Sequence, residues 1–395
     1  MKQKLFIDVG STYFKIKDGD QIEQYFRDFN KNIADDLQNK CAETISKYPP
    51  KDIYICSSAN GGLSTLIIGL TNSFSLKYAT NIAYNSGINI IETLLYPNLK
   101  NYPVPTELID VVIVTGGIDS VENIFGEDLI NYIENLNYSN IVYTGSEKNA
   151  DFFIKNIDNI KILPNIVDNK LHVKEDELKE YLTNLYQADI IGKEDIKELY
   201  AITENQIFST PYIVNQTLPF LHKKFPEVVD PFILIDIGGA TTDIHYSTDL
   251  VSDNMVLESG YDRLVFKKLG VYKSRESLVF SAKQNEFVYE LLNYLNVTEN
   301  ILEEHSPQAT KILMQLSIFL VLYKVSLKHS GYITLKLDRL KSLVFTGGIT
   351  KILTQEDIKE IVHFVYKKLF GHEHIPLVVL DKNYEIWTIR SKICQ

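Results

Sequence analysis

"VDPFILIDIGGATTDIHYSTDL", residues 229–250, reads as two β-strands joined by a turn that an ordinary hairpin would not choose. An apolar strand at 232–235 ends on Asp236. Gly238, Gly239, Thr241 and Thr242 then intervene before Asp243, and a second strand resumes at Ile244. Backbone N–H groups can cradle a phosphate only where no Cβ intrudes, hydroxyls add further donors, and carboxylates hold Mg2+, usually through its waters. The chain opens on a related phrase, "LFIDVGSTYFKI" at 5–16, carrying Asp8, Gly10, Ser11 and Thr12. Two such hairpins could grip a triphosphate between them.

The surroundings of the two phrases match. Around the first, alternation and turn residues predict strands at 4–9, 13–17 and 21–29, with a tight "DGD" turn at 18–20. A helix over 31–47, stopped by Pro49-Pro50, and a strand at 52–58 follow. Around the second, strands are expected at 232–235, 244–247 and 255–258, then a helical stretch over 263–329. A strand at 342–348, a helix at 355–370 and a strand at 375–380 complete it. Both blocks run β-β-β-α-β and begin hydrophobic-Asp-x-Gly, which implies an internal duplication.

Between the copies the rhythm changes. Short apolar strands at 110–119, 140–146 and 160–167 alternate with helical patterns at 121–136 and 147–157. That alternation predicts a parallel, helix-covered sheet inserted into the first half, closed by an acidic helical region at 173–200. The expected division is residues 1–58 for the start of the first lobe, 59–200 for the insertion and 201–395 for the remainder.

Composition bounds the function. A chain of 395 residues suggests two or three domains, and 45% hydrophobic with 23% charged residues is ordinary for a globular protein. A net charge of −11 without a basic stripe argues against general nucleic-acid binding. Cys41, Cys56 and Cys394 form no framework, which suits a reducing cytosol, and no signal-peptide core follows Met1. The apolar run 312–325, at 14 residues, falls short of the roughly 20 needed to span a bilayer and predicts a buried helix. A cytoplasmic protein is the expectation.

A third element is "VFTGGIT" at 344–350, which sets Gly347-Gly348 at a strand's C-terminal end, where a flat nucleoside can lie against backbone. "VTGGID" at 114–119 looks nearly identical without the hairpins around it. Neither GxxxxGK[ST] nor GxGxxG occurs. Taken together, Asp8-x-Gly10-Ser11-Thr12 with Lys15, Asp236-x-Gly238-Gly239-x-Thr241 and Gly347-Gly348 resemble the phosphate-1, phosphate-2 and adenosine motifs of the actin/heat-shock-chaperone/sugar-kinase superfamily. Within it, "IDVGSTYFKI", "CSSANGGLSTLIIGL" (56–70), "DVVIVTGGIDS", "ILPNIV" and above all "DIGGATTDIHYS" resemble the MutL/GlmL family. Its members are accessory proteins of adenosylcobalamin-dependent glutamate mutase and related aminomutases, unrelated to the mismatch-repair protein of similar name.

The resemblance implies duplicated actin-like (ribonuclease H-like) ATPase lobes with an inserted parallel α/β domain. It implies ATP and Mg2+ as ligands, with Asp8 and Asp236 holding the hydrated Mg2+ and Asp243 orienting water or metal. Ser11, Thr12 and Lys15 would face the β- and γ-phosphates; Gly238, Gly239, Thr241 and Thr242 would form the second clamp; Gly347-Gly348 would bound the adenosine. The implied job is reactivation of a cobalamin-dependent mutase subunit. Two departures, "GGIDS" at 116–120 and "YDRLVFKKLG" at 261–270, bear on which mutase is served. A small-molecule kinase on the same fold, or a nucleotide-binding scaffold without useful turnover, are the alternatives.

Other features read more plainly. His372 and His374 lack a third metal ligand nearby, Cys56 reads as a packed thiol, and Glu303-Glu304-His305 as a solvated helix end.

Overall fold

The computed structural model describes residues 3–58, 63–86, 88–122, 124–192, 194–252, 260–266, 268–327, 334–371 and 374–388. The chain divides into two compact units. One comprises Met1–Asn60, Ile191–Ser252 and Ser259–Gln395; the other comprises Gly61–Ile190 with Asp253–Glu258.

The first unit opens with β1 (Leu5–Val9), β2 (Tyr13–Asp18) and β3 (Gln21–Phe26). Gly19 turns β2 into β3 at φ +58°, the left-handed conformation that the "DGD" spacing called for. Helix α1 (Ile33–Ile45) is capped by Asn32, whose side chain accepts from the Ala34 amide, and carries Asp35 and Asp36 in its first turn. Strand β4 (Ile53–Ser57) follows.

The second unit contains β5 (Ser64–Gly69), α2 (Lys77–Asn85), β6 (Asn89–Leu95), β7 (Ile109–Thr115) and α3 (Glu127–Glu134). It continues with β8 (Tyr138–Tyr143), α4 (Ala150–Asn156), β9 (Lys161–Ile162) and α5 (Asp176–Gly192). The strands form one parallel sheet in the order β6-β5-β7-β8-β9. Its core packs β5, β7 and β8 against α3 and α4 through Leu66, Val112, Leu129, Ile133, Tyr143 and Phe153. A parallel, helix-covered sheet is thus present, with β5 and β6 in addition to the three strands expected.

Back in the first unit come α6 (Glu194–Lys197), β10 (Phe208–Ser209) and α7 (Thr210–Thr217), then β11 (Phe232–Ile237), β12 (Thr242–Ser247) and β13 (Tyr261–Phe266). The third strand expected at 255–258 falls among residues outside those described. Residues 263–266, expected to open a helical stretch running to 329, belong instead to β13, and the remainder is broken into α8 (Arg275–Lys283), α9 (Val288–Tyr294) and α10 (Pro307–Ser326). Asn296, at φ +56°, reverses the chain after α9. Then follow β14 (Ser342–Thr346), α11 (Gln355–Phe370) and β15 (Leu377–Leu380).

Helix α10 runs 20 residues, longer than its apolar run suggested, and by length and composition is long enough to cross a membrane. Of its apolar window 72% is buried inside the protein, so it is a core helix, apolar nearly all round. Ser306 caps it and Pro307 occupies its first position.

The two sheets of this unit repeat one another. The orders are β10-β4-β1-β2-β3 and β13-β12-β11-β14-β15. In each, the first strand is antiparallel to the second, and the second to the third, while the fourth lies parallel beside the first. This is the duplicated actin-like, ribonuclease H-like arrangement expected from the paired phrases.

Candidate functional site

The duplication holds atom by atom at the hairpins. In the first, the Gly10 amide donates to the Tyr13 carbonyl at 2.9 Å; in the second, the Gly238 amide donates to Thr241 at 2.8 Å. The register pairs Asp8 with Lys15 across β1–β2, and Asp236 with Asp243 across β11–β12. On the other side Asp8 neighbours Cys56 and Asp236 neighbours Thr346. The two turns also touch: a Cβ built on Gly239 would stand 2.0 Å from Thr12 Oγ1, so only glycine allows this approach.

Asp8, 1% exposed at the end of β1, is fully engaged. Lys15 Nζ donates to Oδ2 at 2.9 Å and Thr210 Oγ1 to Oδ1 at 2.6 Å, with Cys56 Sγ 3.6 Å from Oδ1. Burial works against the charge on Lys15, but Asp8 and Asp236 outweigh it and hold the ammonium above the ordinary lysine range. Asp236 differs. Among the described residues no side chain hydrogen-bonds to it, and burial, with Asp243 and Asp8 nearby, pushes its pKa up to about 6 against the pull of Lys15 and Arg263. An under-satisfied carboxylate beside another carboxylate is an arrangement that a cation relieves.

Asp243 is not free to act in the same way. Arg263 donates to its Oδ1 through both Nε, at 2.9 Å, and Nη2, while Thr241 Oγ1 donates to its Oδ2 at 3.0 Å. Thr242 faces away from the hairpin cleft. Its hydroxyl donates to the Leu269 carbonyl at 2.8 Å and meets Ser317 Oγ on α10 at 3.0 Å, wholly buried. Thr241, in the turn before β12, instead directs its hydroxyl to Asp243, so the two adjacent hydroxyls have different surroundings. Ser11 lies half-buried in the first turn, with Oγ 3.5 Å from Thr12 Oγ1.

Gly347, at φ +81°, lies against Asp236: a Cβ there would be 2.0 Å from Oδ1. Gly348 faces open space. This separates the pair from its sequence twin, because Cβ atoms on Gly116 and Gly117 would strike Leu70 and Ile124 of their own unit. The glycines at 116–117 serve packing.

Several residues at the site gave no sequence signal. Thr210 reaches Asp8 from the start of α7, where Ser209 is the cap. "STP" marks a helix start but not its docking place. Segment 270–274 covers the second turn: the Tyr272 and Lys273 amides donate to the Gly239 carbonyl at 2.9 and 2.7 Å, and Ser274 Oγ to Ala240 O at 2.6 Å. Cys56 is a buried free thiol whose pKa burial pushes well up, as a packed residue requires. His372 lies outside the described residues, and among those described no three His, Cys, Asp or Glu side chains converge as a direct metal-ligand set.

A Mg2+–nucleotide fits this donor set. Asp8 and Asp236 offer two carboxylates on facing hairpins, Lys15 a cation between them, and the glycine turns unobstructed backbone. The metal would be held through water rather than by a cage of side chains.

Among solved structures, nucleotide-free acetone carboxylase is similar at 12% identity, covering 91% of this chain and 67% of that one, with a TM-score of 0.37. An activator of 2-hydroxyisocaproyl-CoA dehydratase from Clostridium difficile, with bound ADPNP, is similar at 10% identity, covering 98% of this chain and 91% of that one, with a TM-score of 0.27. The Protein MutL of Clostridium tetanomorphum is 24% identical over 279 residues, covering 63% of this chain and 58% of that protein's length. The profile of the MutL protein family matches residues 4–316, which takes in both hairpins, the insertion and the first half of α10. With the duplicated hairpins in register across that span, the chain belongs to the MutL protein family.

Proposed function

We propose that this protein binds Mg-ATP between its paired hairpins, hydrolyses it slowly, and uses it to reactivate an adenosylcobalamin-dependent mutase, glutamate mutase or a related aminomutase. The observation that carries the nucleotide reading is the meeting of Asp8, Lys15 and Asp236 at the roots of two equivalent hairpins, with no side-chain hydrogen bond to Asp236 among the described residues. Family membership supports the accessory role.

In this reading Asp8 and Asp236 hold the hydrated Mg2+, which neutralises phosphate charge when bound. Lys15, Ser11 and Thr12 face the β- and γ-phosphates from the first hairpin, while the backbone of Gly238 and Gly239 and the Thr241 hydroxyl face them from the second. Gly347-Gly348 bound the adenosine. Asp243 acts indirectly: paired with Arg263, it fixes the hairpin carrying Asp236. A triphosphate touching both hairpins favours their approach, and hydrolysis removes part of that preference.

Two measurements test this. Mg-ATP at about 100 times its Kd should stabilise the protein by roughly 2.7 kcal/mol; a melting curve indifferent to millimolar Mg-ATP removes the nucleotide reading. With ATP and adenosylcobalamin, the protein should restore turnover to a cobalamin-inactivated mutase of its own organism. Transfer of phosphate to a metabolite, with no recovery of any mutase, would instead establish a kinase.

A further inference from the structure

We propose that Tyr384 is a positioning residue for Lys15: its buried ring, borne on the segment after β15, holds the Lys15 ammonium beside Asp8 and so fixes where the first hairpin presents its cation. The Lys15 Nζ lies 5.4 Å from the Tyr384 ring centroid, and Lys351, just beyond Gly347-Gly348, places its Nζ 5.1 Å from the same ring. Both distances are within cation–π range. One aromatic ring is therefore within reach of a cation of the first phosphate hairpin and of a cation beside the Gly347-Gly348 turn.

The ring is held in place from both halves of the duplication. Tyr384 is wholly buried yet has φ +48°, a left-handed backbone that a bulky residue keeps only where its surroundings over-determine it. From the second half, Asp381 accepts the Thr346 hydroxyl at 2.9 Å and the amides of Glu385 and Ile386 at 2.7 and 3.1 Å. Thr346 is the ladder neighbour of Asp236. From the first half, Lys17 Nζ donates at 2.7 Å to both the Asn383 carbonyl and Glu385 Oε1, and the Gln24 amide donates to the Tyr384 hydroxyl. Gln24 is the direct cross-strand partner of Lys15. The same β2–β3 pair thus addresses the ring and the hydroxyl of one tyrosine, which filling a core would not require.

The geometry stands without any ligand; its consequence for binding rests on the nucleotide reading above.

The test has one arm for each. In protein carrying 13C-lysine, the ε-CH2 signals of Lys15 and Lys351, assigned through Lys15→Arg and Lys351→Arg, should lie upfield of the other lysines because of the tyrosine ring current. Tyr384→Phe should preserve those shifts and Tyr384→Leu should abolish them. A Lys15 signal among the bulk lysines in the wild type, or one unmoved by Tyr384→Leu, overturns the proposal. In the second arm, Tyr384→Leu should raise the Kd for Mg-ATP roughly tenfold, the scale of a desolvated cation–π contact, while Tyr384→Phe stays near wild type. In a Lys15→Met background, Tyr384→Leu should change the Kd no further. Equal loss with and without Lys15 would mean a packing role only, overturning the proposal. Ring-shifted Lys15 signals in a protein that binds no nucleotide would retain the positioning and remove the nucleotide reading.

Discussion

At the scale of single residues, the two equivalent carboxylates have opposite circumstances. Asp8 is paired with Lys15 and accepts from Thr210, whereas Asp236, half-buried beside other carboxylates, has its pKa pushed up to about 6. A carboxyl whose folded pKa stands above the unfolded value of about 3.9 favours the fold most at low pH, and that contribution is lost as pH rises through about 6. Asp236→Asn carries no such charge. It should therefore melt higher than the wild type near neutrality, by up to about 3 kcal/mol, with the difference shrinking as pH falls towards about 5, while losing Mg-dependent ATP hydrolysis. Melting curves of both proteins across that range check the first part; a pH-independent gap would show that Asp236 is not the titrating group. The sequence revealed Asp8, Lys15 and Asp236 because a charged residue in an alternating apolar strand has few structural reasons to be there. It did not reveal Thr210 or Tyr384, whose contacts with the site span 202 and about 360 positions of chain. It also assigned Thr242 to the clamp, since adjacent hydroxyls look alike until the fold buries one of them against Leu269 and Ser317.

At the scale of elements, the hairpins and the Gly347-Gly348 turn make a graded prediction. Gly347→Ala places a side chain at φ +81° and 2.0 Å from Asp236, so it should cost about 1–3 kcal/mol and weaken nucleotide binding. Gly348→Ala, with open space around it, should stay within about 0.5 kcal/mol of wild type. Equal effects would show that the turn is not shaped as described. The second hairpin rests on a buried ion pair, with side-chain exposures of 6% for Arg263 and 12% for Asp243. Arg263→Met leaves that carboxylate uncompensated and should cost about 3–5 kcal/mol in chemical denaturation; a change below about 1 kcal/mol would deny the pair this part. Strands with turn residues at both ends, such as β1, β2 and β14, were legible within a residue or two. β5 and β6 were passed over: β5 is buried on both faces and shows no alternation to read, while β6 is an edge strand whose Ile91, Glu92 and Thr93 are all exposed.

At the scale of the molecule, the two units differ in how their cores are completed. The unit containing β5–β9 packs around residues of its own. A fragment of residues 61–190 expressed alone should accordingly show a cooperative thermal transition by circular dichroism, and a featureless melt would mean that it depends on the rest of the chain. The duplicated unit shares one buried cluster between its sheets, drawn from Cys56, Val214, Phe232, Val344, Val379, Tyr384, Ile386 and Trp387. The plan of two repeated sheets was visible in the order of strands. The shared cluster was not, because periodicity tells which face of an element is apolar and not which distant face covers it.

That cluster sets an order for biosynthesis. A ribosome produces β1–β4 early, but the apolar faces they present to the cluster wait for Tyr384, Ile386 and Trp387, made more than 300 positions later. During that interval the insertion can settle first, while the opening sheet remains exposed to chaperones and proteases. Nascent chains arrested before residue 380 should be cut by protease within β1–β4 yet resist it over 63–186. Burial of Trp387, the chain's one tryptophan, would then mark the moment when the two halves become a single folded body, and its emission would time that event after the chain leaves the ribosome.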